Sequence, residues 1–292
     1  MHKIHCYFQV SLHYMRLDAV KKNAISRLLD LSDSASLDIE ILLSETIDVP
    51  KSYLIAHPEF ELDEVTNHLF EEKLQRRING EPVSYITGTR EFWSHNLLVN
   101  SSTLIPRPET ELLVELALEK IPSNSKWKIL DLGTGSGAIA ISIASERLTC
   151  QITGTDISSD ALTMAKKNGQ CAKLSNLEFL TGSWAAPVKD RLFNIIVSNP
   201  PYLKDDDDAL TKLKYEPKRA LVSGSDGLDD IRILASDCAS LLVRNGWLMI
   251  EHGANQADAV KNIFEDEQWA NIKCHNDLAG RPRVTVARHS GK

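Results

Sequence analysis

The chain of 292 residues contains no apolar run approaching the ~18 to 20 residues that a membrane-spanning helix requires. Its first segment, MHKIHCYFQVSLHYMR, also lacks the continuous hydrophobic core of a secretory signal. A cytoplasmic protein of bacterial type, with no membrane association, is expected. An excess of positive charge is missing too: 33 Lys and Arg face 40 Asp and Glu, for a formal net charge of −7. Without a global basic field, direct binding to nucleic acid is not expected, although a local basic groove stays open. Cysteine is scarce and scattered. The five thiols, Cys6, Cys150, Cys171, Cys238 and Cys274, form no CxxC pair, so neither a disulfide framework nor a zinc site is indicated and reduced, mostly buried thiols are expected. Nine histidines form no HExxH or comparable pairing, which leaves no metal site to expect. There are no internal repeats, and the one low-complexity run, Asp205 to Asp208, reads as a solvated loop.

What is present, 42% hydrophobic and 25% charged residues, describes a globular chain with room for two domains. From about Leu17 to Gly80 the pattern is helical: Val65, Leu69, Phe70, Leu74 and Ile78 fall on one face, and Asn79-Gly80 supplies a stop. A small N-terminal helical domain over residues 1–82 is expected, with 1–16 as an extra tail and Met15 as an alternative start. The β-formers of Val83-Ser84-Tyr85-Ile86-Thr87, and those from Phe92-Trp93 through Leu97-Leu98-Val99, predict a β-hairpin linker over 83–106. Pro106-Arg107-Pro108 closes it. Glu109 to Lys120 then predicts an amphipathic helix with Leu112, Leu113, Leu116 and Ala117 on its inner side. From Trp127 onward strands and helices alternate, with strands predicted over 128–131, 151–156, 177–180, 193–197, 247–251 and 283–287. Residues 107–292 therefore read as an α/β domain with a mostly parallel sheet, whose ligands belong at the carboxyl ends of the strands.

Two constellations carry chemistry. In the first, the strand Ile129-Leu130-Asp131-Leu132 runs into Gly133-Thr134-Gly135-Ser136-Gly137 and then a small apolar helix. Glycines let a backbone approach a ligand closely, and the amides of the turn can donate to it. Asp156 follows at the end of the next predicted strand, where a carboxylate can accept both hydroxyls of a ribose. The competing reading is an ordinary tight turn and a helix-capping Asp. The GxGxG spacing departs from the GxGxxG of dinucleotide sites. Asp-Leu-Gly-Thr-Gly-Ser-Gly resembles instead the first motif of the Rossmann-like S-adenosylmethionine-dependent methyltransferases. That resemblance implies S-adenosyl-L-methionine as cofactor, with S-adenosyl-L-homocysteine as product. It also implies a seven-stranded sheet ordered 3-2-1-4-5-7-6 whose last strand is antiparallel.

The second constellation is Asn199-Pro200-Pro201-Tyr202, at the end of the predicted fourth strand. A planar amide or an exocyclic aromatic amine is a poor nucleophile because its lone pair is delocalised. The Asn199 side-chain oxygen and the Pro200 carbonyl can each accept one N–H of such an NH2 group, orienting it for in-line transfer and stabilising the positive charge that develops. Pro200 and Pro201 stiffen the turn. Tyr202 can stack on the flat acceptor. These properties specify an NH2 on a planar group and leave glutamine and adenine both open.

Further segments narrow the acceptor. Phe92-Trp93, Thr103-Leu104-Ile105-Pro106-Arg107-Pro108-Glu109-Thr110-Glu111, Tyr215-Glu216-Pro217, Gly224 through Gly227 and Glu251-His252-Gly253 resemble the peptide chain release factor N(5)-glutamine methyltransferases, over nearly the whole chain from Leu17 to Arg288. The resemblance implies methyl transfer to the side-chain amide of the glutamine in the Gly-Gly-Gln loop of release factors, with the helical domain helping to dock that partner. It implies cofactor contacts at Gly133 to Gly137, Asp156, Trp184 and Asn199, and substrate contacts at Asn199 to Tyr202. Phe92 and Arg107 are candidates for the pocket mouth, against a buried aromatic and a salt-bridged arginine. Two other acceptors remain: glutamine in a ribosomal protein, and the exocyclic amine of adenine in nucleic acid.

Overall fold

A computed structural model describes residues 14–290; the expectations for Cys6 and for the tail before Tyr14 lie outside them. The chain divides into two units, one ending at Thr87 and one beginning at Gly88.

The first unit contains β1 (Met15–Arg16), α1 (Leu17–Leu28), α2 (Ala35–Thr46), α3 (Lys51–Ala56), β2 (Glu61–Leu62), α4 (Glu64–Ile78) and α5 (Val83–Thr87). Met15 pairs with Leu62 and Arg16 with Glu61, so these two residues belong to the folded unit and not to a tail. Leu17, Leu28, Ile39, Leu42, Phe70 and Leu74 are buried in one core. The stripe expected on α4 is narrower than predicted: Val65 is 70% and Leu69 46% exposed. Phe70, Leu74 and Ile78 recur every fourth residue, whereas Val65 and Leu69 form the adjacent row, turned away by roughly 100°. Asp63 starts α4 by accepting the Thr66 amide at 2.7 Å.

The β-rich reading of Val83–Thr87 is corrected: this stretch is helical. Pro82 precedes it, and its carbonyl accepts the amides of both Tyr85 and Ile86. Burial of Tyr85 and Ile86 on one side of a single turn outweighs the strand preference of β-branched residues.

In the second unit, the hairpin of β3 (Thr89–Phe92) and β4 (His95–Leu98) is antiparallel. A one-turn 3-10 helix, Pro108–Thr110, leads into α6 (Glu111–Lys120). Leu113, Val114, Leu116 and Ala117 of α6 are buried, and Leu112 is only half-buried. Then follow β5 (Lys128–Leu132), α7 (Ala138–Glu146), β6 (Gln151–Asp156), α8 (Ser159–Cys171), β7 (Leu177–Thr181), β8 (Phe193–Ser198), α9 (Ala209–Lys212), α10 (Asp229–Asp237), β9 (Leu242–Glu251), α11 (Ala257–Asp266), β10 (Ala270–Asn276) and β11 (Pro282–Arg288).

From β5 to β11 these strands form one sheet, ordered β10-β11-β9-β8-β5-β6-β7. Counted along the sheet strands, that is the expected 3-2-1-4-5-7-6. The pairs β5–β6, β5–β8, β6–β7 and β8–β9 are parallel, and β11 is antiparallel to both β9 and β10. Successive side chains serve opposite faces. Ile129, Ile195, Val197 and Met249 join α6 and α7 in one core, while Leu130, Ile196, Leu248 and Ile250 join α10 and α11 in the other. Both faces are covered, which is why these strands read as continuous apolar runs. Phe92 and Leu97 of the hairpin belong to the first of these cores.

Two differences from the predicted strands have local causes. β10 is an edge strand of mixed polarity, half-buried at best, and offers no apolar run to detect. β9 begins at Leu242 and not at Trp247, because Asn245 (φ 64°) and Gly246 form an irregularity inside the strand and not a turn before it. Of the thiols, Cys150 and Cys238 are buried as expected, but Cys171 is exposed and Cys274 half-buried.

Candidate active site

The strand order reverses at β5, which lies between β6 and β8, and a crevice opens outside the carboxyl ends of strands at such a point. Beyond Leu132 the backbone passes through Gly133, Gly135 and Gly137, all at positive φ. At Gly133 a side chain is excluded twice over: φ is 73°, and a Cβ would stand 3.1 Å from the Trp184 ring. The amides of Gly133 and Thr134 donate to the Thr155 carbonyl, each at 2.9 Å. Gly135 N–H donates to Asp156 Oδ2 at 2.9 Å and Ser158 N–H to Oδ1 at 2.8 Å. The turn is thus fastened to the end of β6, and each Asp156 oxygen keeps a lone pair for a ligand hydroxyl.

Behind the turn, Asp131 is fully buried. Its Oδ2 accepts the Thr134 hydroxyl at 2.6 Å and the Ala140 amide at 3.2 Å, and Oδ1 is buried without a partner. Burial pushes its pKa up to about 7; the Thr134 and Ala140 hydrogen bonds oppose that rise, and the nearby Asp156 adds to it.

At the end of β8, the Ser198 hydroxyl donates to the Leu132 carbonyl at 2.7 Å and joins the two strand ends. Asn199 Nδ2 donates to Thr110 Oγ1 at 3.2 Å, whereas Asn199 Oδ1 is buried with no partner. An unpaired buried acceptor costs about 1–3 kcal/mol; a donor brought by a ligand recovers that cost. The amides of Tyr202 and Leu203 donate to the Leu221 carbonyl at 3.1 and 2.8 Å, and Gln256 Nε2 donates to the Tyr202 carbonyl at 3.0 Å. Burial first, and then the Glu251 carboxyl, pushes the Tyr202 pKa up to about 12, so its phenol stays neutral at ordinary pH. Glu216 accepts the Ile105 amide at 3.0 Å and pairs with the Arg107 guanidinium, drawing two distant segments together. Arg107 is therefore occupied by a salt bridge, and Phe92 lies in the core. Neither lines the cavity.

That cavity, of about 820 Å³, opens at these strand ends. Gly133, Gly135, Asp156, Trp184, Asn199 and Pro201 line it. Thr134 and Ser136 are buried in the turn, and they, Gly137, Pro200 and Tyr202 are not part of the lining. The wall also includes Thr103 and Leu104, from the resembling segment but given no role there, and Ser102, Ile157, Ile233 and Leu241, which motif reasoning did not single out. One of them carries a sequence signal: Ile157, an apolar residue directly after Asp156, is 60% exposed.

A glycine turn, a carboxylate on the neighbouring strand and an Asn-Pro-Pro-Tyr turn around one crevice, on a sheet of this order, define a methyltransferase of the Rossmann-like α/β class. Residues 109–226 match the family described as methyltransferase small domain, and residues 20–88 match the PrmC N-terminal domain. The release factor glutamine methyltransferase of Coxiella burnetii is 42% identical over 267 residues, covering 91% of this chain and 96% of that protein. That of Aliivibrio fischeri is 42% identical over 278 residues, covering 94% and 98%. A solved methyltransferase structure from Pyrococcus furiosus, 14% identical, shares the fold with a TM-score of 0.53 over 76% of this chain and 100% of that one. The chain belongs to the release factor glutamine methyltransferase family.

Proposed function

We propose that this enzyme transfers a methyl group from S-adenosyl-L-methionine to the side-chain amide nitrogen of the glutamine in the Gly-Gly-Gln loop of a peptide chain release factor, and that the N-terminal helical unit contributes to docking that partner. The observation that carries the reading is the Asn199 oxygen, buried in the cavity wall with no protein donor. The cavity also suits a nucleoside sulfonium. Asp156 offers lone pairs to a ribose diol, Trp184 and Ile157 offer apolar surface to an adenine, and glycine at 133 keeps the floor open.

When bound, the cofactor supplies an electrophilic methyl group on sulfur. The residues of the chain do the rest by orientation. Asn199 Oδ1 accepts one N–H of the acceptor amide and Pro200 O the other, which aims the nitrogen lone pair and stabilises the charge that gathers there. The N–C bond would form as the methyl–sulfur bond broke, leaving a neutral thioether, and one N–H proton would pass to water. The neutral Tyr202 phenol does not act as a base; in this reading its ring covers the flat face of the acceptor. Among the described residues no helix is long and apolar enough to cross a membrane, consistent with a partner in solution.

The test supplies purified enzyme and labelled cofactor separately with a release factor, ribosomal protein and DNA. Label in the release factor supports the reading. Label confined to ribosomal protein or to DNA overturns it in favour of the corresponding alternative acceptor.

A further inference from the structure

Asn199 can grip an acceptor N–H only if its carboxamide oxygen, and not its NH2, faces the cavity, and two residues outside the motif bear on that choice. Thr110, where the one-turn helix meets α6, is 4% exposed, and its hydroxyl oxygen is the acceptor for Asn199 Nδ2 at 3.2 Å. Its other neighbour is the carboxyl of Glu251, the last residue of β9, which is 1% exposed and whose Oε2 has no partner; the Thr110 hydroxyl favours the ionised form of that carboxyl.

We infer that Glu251 and Thr110 are positioning residues that set the flip of the Asn199 carboxamide and so keep its oxygen toward the acceptor amide; this rests on the role given to Asn199 above. The logic is one of proton count. A hydroxyl has one proton and two lone pairs, and an ionised carboxylate can only accept. With Glu251 ionised, the Thr110 proton is committed to the carboxylate. The free lone pair of Thr110 then takes an N–H, which only the NH2 end of Asn199 can provide. The oxygen is then the end left without a protein partner, on a residue that lines the cavity. With Glu251 protonated, its own O–H can donate to Thr110, and the Thr110 proton is released toward Asn199. The opposite flip then becomes available, and it sets an NH2 donor against the NH2 of the acceptor.

The protonation state of Glu251 is balanced by its surroundings. Burial pushes its pKa up to about 7, the Thr110 hydroxyl and then Arg283 pull it down, Glu109 raises it and Arg107 lowers it. Tyr202, the other titratable group facing it, stays neutral.

The experiment compares the full-length enzyme with Thr110→Ser, Thr110→Val and Glu251→Gln. It measures kcat and KM with a release factor across pH, cofactor Kd by tryptophan fluorescence, and the side-chain amide resonances of Asn199 by NMR. Thr110→Ser is expected to keep near-normal kcat, and Thr110→Val to lose about tenfold or more in kcat with cofactor Kd changed less than about twofold. The wild type should lose activity below about pH 7, and its Asn199 resonance should titrate near that value; both effects should vanish in Glu251→Gln. Equal loss in Thr110→Ser and Thr110→Val, normal kcat in Thr110→Val, or a titration that persists in Glu251→Gln would overturn the inference. The resonance needs no acceptor and, in wild type and Glu251→Gln, no Thr110 variant. If no release factor is methylated by the wild type, the acceptor reading alone has failed and the titration still decides the positioning role.

Discussion

The Gly133 backbone packs against the edge of the Trp184 ring, so closely that a Cβ on Gly133 would stand 3.1 Å from it. Trp184 itself holds a left-handed φ of 43°, and its carbonyl accepts the Thr155 hydroxyl at 3.0 Å. The floor and one wall of the cavity are therefore set by a single contact. Gly133→Ala is expected to cost about 1–2 kcal/mol from the left-handed φ alone, and to weaken cofactor binding as the ring is displaced. Adding Trp184→Ala removes the collision but not the φ penalty, so the double variant should recover only part of the lost stability. Thermal unfolding and cofactor titration of the three variants check both statements; full recovery of stability would refute the φ argument.

Asn199→Ala removes the unpaired oxygen and keeps the backbone. Loss of one preorganised group facing developing charge typically lowers kcat by about 10²-fold, and cofactor affinity should fall by less than the rate. Steady-state kinetics beside a binding titration separate the two effects. An unchanged kcat would remove the role assigned to Asn199.

Glu216 has a nearly fully buried side chain that accepts the Ile105 amide and pairs with Arg107. Glu216→Ala leaves that amide and that cation without their partner. A stability loss of roughly 2 kcal/mol is expected, less than for a fully buried pair because the Arg107 side chain is partly solvated. Denaturant unfolding checks it. A change below about 0.5 kcal/mol would mean that water replaces the carboxylate without penalty.

Asp131 makes stability depend on pH. Its folded pKa, about 7, is raised above that of an unfolded aspartate, so the folded state binds the proton more tightly. The associated stability is fully present below the unfolded value near 4 and is lost as pH rises to about 7. Asp131→Asn should flatten that part of the curve, because the amide oxygen still accepts from Thr134 and Ala140 but does not ionise. Unfolding free energies between pH 4 and 8 test this against the wild type.

The parts of the site legible in the sequence were those encoded by neighbours in the chain. Gly133 to Gly137 declared a turn, Asp156 stood at the end of a readable strand, and Asn199 to Tyr202 form a contiguous motif with its own chemistry. Ser102, Ile233 and Leu241 gave no such signal, and Thr103 and Leu104 stood only inside a resembling segment, since ordinary residues from distant segments become a wall only when the sheet brings them together. Thr110 and Glu251 were visible only as members of resembling segments; the contact of Thr110 with Asn199 spans 89 residues and is invisible to spacing. The misread elements share a cause. At Val83–Thr87, in the stripe on α4 and in β10, local preference pointed elsewhere or nowhere, and packing or an edge position decided the outcome.

The most direct test of the central claim is mass spectrometry of a release factor incubated with the enzyme and S-adenosyl-L-methionine. The account predicts one added methyl group on the side-chain amide of the Gly-Gly-Gln glutamine, and none when that glutamine is replaced. A methyl group that persists on the release factor after the replacement, or an unmodified glutamine in a sample where DNA or ribosomal protein is methylated, would contradict it.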